Sequence, residues 1–237
     1  MVEARKSTGR TEEREILTLL ENSIESFAKT ELGRSRLREI RDSGENFDRQ
    51  VWTKICTLGW LDILTSCEHE IDFTARAIKL VAHYMGVQSA PEPFLECGVG
   101  PLSLLHQLED EKELVQAISN GNILAGHHIV TDDELTLNTE KSKIEGEFIG
   151  LQIPFQTEIL ILGLQINKNY LILKVNLNDP HLASSKISLA DGCTYLKLLF
   201  SNYEIQQNQI LAQGIQAKDN IQRSRNLNLI AHCAYLN

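Results

Sequence analysis

The 237-residue chain has five cysteines, Cys56, Cys67, Cys97, Cys193 and Cys233, and no Cys-x-x-Cys pair. An odd, scattered set excludes a disulfide framework and a cysteine-built zinc site, and points to a reducing cytoplasm. Basic residues are in deficit: 23 Lys and Arg stand against 32 Asp and Glu, a formal net charge of −9. Such a chain repels phosphate backbones, which argues against nucleic-acid binding. No apolar run reaches the roughly 18–20 residues of a membrane helix. The charged start, MVEARKSTGRTEEREI, lacks the apolar stretch of a secretory signal. Nucleotide-binding glycine motifs, HExxH and GxSxG are all absent.

What is present divides the chain in two. The acidic excess lies in the middle: residues 41–130 hold 6 basic and 13 acidic side chains, whereas residues 1–40 balance at 8 and 8. That block reads as a solvated face, or as a docking surface for a basic partner. Up to about residue 120 apolar residues recur at helical spacing. Ile16, Leu20, Ile24 and Phe27 make one stripe, Phe47, Val51, Ile55 and Leu58 a second, and Phe73, Ala77, Leu80 and Tyr84 a third. Asp48 stands where an N-cap belongs, Gly59 closes the second helix, and Gly86 ends the third. Pro91-Glu92-Pro93 breaks the chain before helices over 99–108 and 111–119. Beyond 121 the pattern turns to strands, over 123–130, 144–149, 158–164, 170–175 and 194–200, with Lys168-Asn169 as a hairpin turn and a bulge at Gly146 or Gly150. The stretch 221–236 reads as helix again. The order predicts an α+β chain: an all-α helical domain over 1–122, an antiparallel β-domain over 123–222, and the start of a further helix over 223–237.

Chemistry is sparse. Adjacent His127 and His128 on a strand point to opposite faces, so one metal would not take both, and the simple reading is one packed and one exposed. His69 reads as a solvated loop residue, and Asp132-Asp133-Glu134 as solvated acids. Cys56, Cys233, Trp52 and Trp60 read as core. No nucleophile or acid–base pair stands out by spacing, so no catalytic residue and no metal ligand is assigned.

Three segments nevertheless carry a resemblance. FDRQVWTKICTLGWLDILTS (47–66), AIKLVAHYMGVQSAPEPFLE (77–96) and AISNGNILAGHHI (117–129) resemble successive parts of the helical domain of acyl-CoA dehydrogenases and its exit. IEGEFIGLQIPFQTEILIL (144–162) resembles the glycine turn and paired strands of that family's β-domain. The resemblance covers about 10–236. It implies a helical domain, a β-domain and a C-terminal four-helix domain, with FAD between the last two and a carboxylate base supplied by the helices. Asn237 falls about where the first of those helices begins, so the resemblance carries over no base. The family's Thr-Glu…Gly-Ser-Asp segment is replaced by HIVTDDELTLN (128–138), leaving Thr131 as the one residue it places near the flavin. The acidic pair before the helix-ending Gly is replaced by Ala82-His83-Tyr84, and SCEHEID (66–72) lacks the usual Gly-Gly. Apolar surface left bare by the absent helices implies a partner: another copy, a paralogous acyl-CoA dehydrogenase subunit, or a separately encoded C-terminal half. Three readings follow. The chain is a flavoprotein subunit contributing to α,β-dehydrogenation of an acyl-CoA or acyl-carrier thioester, a non-catalytic structural or substrate-presenting subunit, or an unrelated α+β binding protein.

Overall fold

The computed structural model describes residues 2–33, 35–66, 70–130, 135–138, 143–166, 168–188 and 194–237. Among the described residues seven α-helices precede the strands: α1 (Val2–Glu31), α2 (Ser35–Ser43), α3 (Arg49–Thr57), α4 (Asp62–Thr65), α5 (Ile71–Val87), α6 (Gly100–Leu104) and α7 (Lys112–Ser119). The local rules for α3 hold. The Asp48 carboxylate accepts from the amides of Gln50 at 2.8 Å and Val51 at 3.3 Å, and Gly59 follows with φ 75°. Trp52, Ile55 and Trp60 are buried.

Two expectations about punctuation need correction. Gly86 does not end α5, which runs on to Val87. Pro91 and Pro93 do not hold the next helix back to 99, because a π-helical turn spans Phe94–Val99 directly after Pro93. A proline at the entry of a helical turn costs nothing, since its missing N–H would be unpaired there anyway.

Among the described residues the β-part forms two four-stranded sheets. One has the order β1 (Ala125–Val130), β4 (Ile159–Ile166), β5 (Asn169–Asn176), β8 (Ile210–Gln213). The other has the order β2 (Leu135–Asn138), β3 (Lys143–Leu151), β7 (Thr194–Glu204), β6 (Leu182–Ser188). The pairing is not wholly antiparallel: β1 runs parallel to β4, with Ala125 opposite Ile159. The chain leaves the first sheet after β1, forms β2 and β3 in the second, and returns in the same direction as β4. The expected irregularity in β3 is present as register shifts at Ile144/Gly146 and Phe148/Leu151. The hairpin at Lys168 joins β4 to β5, with Ile166 opposite Asn169.

The first sheet is the middle layer. Leu160, Leu162 and Leu164 of β4 pack between the sheets with Phe148, Leu198 and Phe200. Ile161, on the opposite face, joins the helical core. Burial on both faces explains why Ile159–Ile166 reads as a continuous apolar run and not as an alternation. The last helix, α8, runs Gly214–Tyr235, beginning seven residues before Ile221, and returns to the N-terminal helices. There Ala217, Ile221, Leu227 and Ala231 complete the helical core. Cys233, expected in the core, is exposed, while Cys56 is buried. No helix among the described residues is long and apolar enough to cross a membrane.

Candidate functional site

Where α8, the π-turn, β1 and the β3–β4 connection meet, they enclose a cleft in two adjoining parts. One part, about 380 Å³, is lined by residues including Glu92, Leu95, Glu96, Tyr195 and Tyr235. The other, about 520 Å³, is lined by residues including His127, His128, Ile149, Arg225 and Leu229. Glu96, Gln152, Ile153 and His232 border both parts. A larger concavity of about 800 Å³ lies near α2 and α3. Its polar groups serve the fold. Arg36 pairs with Glu92, Arg49 donates to the Gly121 carbonyl, and Asp48 caps α3.

The chemistry of the cleft starts in FLECGVG (94–100). The wide π-turn carries Glu96 into the cleft, and such turns often mark functional sites. The Glu96 carbonyl lies 3.0 Å from His127 Nδ1. A carbonyl only accepts, so Nδ1 carries the proton and Nε2 keeps a lone pair. Gly100 makes room for the ring: a Cβ there would lie 1.8 Å from His127 Nδ1. His127 thus packs on the helical side. His128 meets Phe148 edge-on, ring centroids 4.7 Å apart, on the side of the other sheet. Both histidines are half-buried, so the expectation of one exposed partner fails because β1 lies between two packed layers. Among the described residues no three His, Cys, Asp or Glu side chains gather as a metal site. Thr131, His69 and Asp132-Asp133-Glu134 lie outside the described residues.

Helix α8 is fastened by polar side chains. Asn220 Nδ2 donates to the carbonyls of Leu104 at 2.9 Å and His106 at 2.8 Å, satisfying groups at the end of α6. Ser224 Oγ donates to the Gly100 carbonyl, and the Tyr235 hydroxyl to that of Ala90. Arg225 Nη1 reaches Gln165 Oε1 at 2.7 Å. The cleft rim is apolar and bare: Ile149 is 67% exposed and Leu229 66%.

Two ionisable groups in the cleft are displaced in opposite senses. Burial pushes the His127 pKa down to about 4. Glu96 keeps some contact with solvent through the cleft, yet desolvation pushes its carboxyl up to about 7. Between about pH 4 and 6.5 the unfolded chain binds more protons at His127, so that residue costs stability as pH falls. Between about pH 4.5 and 7 the native state binds more protons at Glu96, so that residue adds stability as pH falls. The two oppose each other across the shared window. Glu96→Gln removes one of them. Relative to the parent, the variant should lose up to about 2 kcal/mol between pH 6.5 and 4.5, read from urea unfolding at the two pH values. Parallel pH profiles would show that these groups are not buried in this way.

Sequence reasoning missed Glu96. The signal available was its isolation: it is the one charged side chain between Pro93 and Leu108.

No protein-family model and no curated protein matches the sequence. Solved structures do match in fold. A chain of the ChsE4-ChsE5 complex from Mycobacterium tuberculosis aligns with TM-score 0.73 and 13% identity, over 92% of this chain and 62% of that one. A glutaryl-CoA dehydrogenase from Mycobacterium smegmatis in complex with FADH2 aligns with TM-score 0.64 and 13% identity, over 94% and 62%. Butyryl-CoA dehydrogenase from Megasphaera elsdenii aligns with TM-score 0.64 and 12% identity, over 93% and 64%. The chain therefore spans less than two thirds of the length of these structures. Over that span its fold is the acyl-CoA dehydrogenase fold.

Proposed function

We propose that this chain, an acyl-CoA dehydrogenase fold over its described length, is a flavoprotein subunit that contributes to dehydrogenation of an acyl thioester within a complex. The observation that carries the reading is the two-part cleft bounded by α8, β1 and β3, with its apolar rim at Ile149 and Leu229. These residues suit an isoalloxazine ring. Ile149 and Leu229 would cover its apolar faces, and His128 and Arg225 would offer donors to its polar edge. A space of about 520 Å³ takes the ring system, while the rest of FAD needs surface from elsewhere. The bound flavin would supply hydride acceptance. The chain's part is to orient flavin and thioester and to keep water from them.

Exposed Ile149 and Leu229 support a covering subunit. That subunit is another copy or a paralogous acyl-CoA dehydrogenase chain, and the two-component ChsE4-ChsE5 complex is a precedent among the similar structures.

Titration of FAD with the purified chain tests the reading. FAD fluorescence should be quenched on binding, and Leu229→Glu, which sets a carboxylate on the rim against the dinucleotide, should weaken binding at least tenfold. No interaction, either alone or with a co-purifying dehydrogenase subunit, would favour the structural, substrate-presenting reading instead.

A further inference from the structure

The smaller part of the cleft has a chemistry that flavin binding leaves unused. Its lining is mostly apolar, from Ala90, Pro91, Pro93, Leu95, Ile153 and Pro154, yet it contains two carboxyls. Glu92 is answered from behind: its side chain is 0% exposed and Arg36 holds it. Glu96 is answered only by its own main chain. Among the described residues no other group donates a hydrogen bond or lends a cation to its carboxyl, and its main-chain carbonyl is engaged by His127. A carboxyl in an apolar recess with no cation and no partner beyond its own main chain is costly to keep. Costly buried groups of this kind are kept where a ligand completes them.

The surroundings specify the complement. His232 is the one basic side chain lining this part, and burial lowers its pKa, so it stays neutral near pH 7. Two tyrosines, Tyr195 and Tyr235, line the same space. The Tyr235 hydroxyl is already donated to Ala90, leaving its ring as what it can offer. A carboxylate beside aromatic rings in a desolvated recess is the environment that holds an ammonium group. We propose that this recess binds a protonated amine, its charge seated on Glu96, and hence that the ligand of the cleft carries a basic nitrogen in place of a plain aliphatic tail. The proposal deepens the thioester reading by naming the acyl class, but the amine site stands or falls by its own test.

The ionisable groups facing Glu96 are Glu92 just before its turn, Cys97 on the turn, His127 from β1, Tyr195 from β7, and His232 and Tyr235 from α8. Burial raises the Cys97 thiol and the Tyr235 hydroxyl and pushes His127 down to about 4, so these three stay uncharged from pH 6 to 8, and burial shifts His232 toward its neutral form. Arg36 balances Glu92. Glu96 gains negative charge over that range.

The probes are butylammonium, butyramide and butyrate, added separately to the full chain without flavin and followed by NMR shifts of the cleft tyrosine and histidine signals. Butylammonium should bind at least tenfold more tightly than butyramide at pH 8, and butyrate should not bind. The preference should shrink severalfold at pH 6 and vanish in Glu96→Gln. Equal binding of all three probes, or a preference that survives Glu96→Gln, would overturn the amine site. The wild-type ranking alone decides the matter if the variant does not fold. Retained FAD with no amine preference would remove this proposal and leave the flavoprotein reading. An amine preference without FAD binding would do the reverse.

Discussion

Gly86→Ala should destabilise the protein by about 3 kcal/mol or more, at the upper end of what overpacking costs. A Cβ at this position would lie 1.9 Å from the Tyr235 carbonyl oxygen, 2.6 Å from its carbon and 2.8 Å from its Cα. The obstacle is main chain, so no rotamer change relieves it. Helix α8 would have to move off α5. That movement would strain the bonds from Tyr235 to Ala90 and from Ser224 to Gly100. Urea denaturation gives the test, as a lower midpoint. An unchanged midpoint would mean that the end of α8 does not rest on α5.

The second large effect is expected at Trp60. The side chain is 2% exposed, meets Phe27 edge-on at 5.2 Å between ring centroids, and lies with Nε1 3.5 Å from Ser23 Oγ. Trp60→Ala would open a cavity between α1 and the end of α3, costing roughly 3–5 kcal/mol. Thermal unfolding should show a fall of many degrees. A change within about 0.5 kcal/mol, the usual size for surface sites, would place Trp60 outside the core.

These two positions show what the sequence makes legible. Trp60 follows a capped amphipathic helix, and local rules suffice: Asp48 caps, the stripe packs, Gly59 turns the chain. Gly86 follows the same rules on paper and obeys another constraint. Its reason for being glycine is a neighbour nearly 150 residues away, and no local pattern encodes that. The same limit applies to α2 and β8, whose partners are distant; β2 and β6 pair with the next strand, but their own patterns are weak. The succession of helices and then strands is readable, because the period changes from helical to extended near residue 121. The parallel pairing of β1 with β4 is not, because it depends on the path between the sheets. Of the cleft, the adjacent histidines stand out in the sequence as a pair that strand geometry argues against for a shared metal. Glu96 passed unremarked because one carboxyl has no spacing. Its meaning comes from enclosure, which only the folded chain supplies.

The return of α8 to the N-terminal helices bears on synthesis. As the chain leaves the ribosome, the helices that precede the strands emerge first, but the surface that Ile221, Leu227 and Ala231 will cover stays wet until α8 has followed the strands out. Contacts of such high sequence separation fold slowly and leave apolar surface open to misassociation meanwhile. An N-terminal fragment ending near residue 122 should therefore accumulate in chaperone-bound or aggregated form. A fragment of about 1–122 supplied together with one carrying 123–237 has a route to soluble protein, since α8 would then dock in trans.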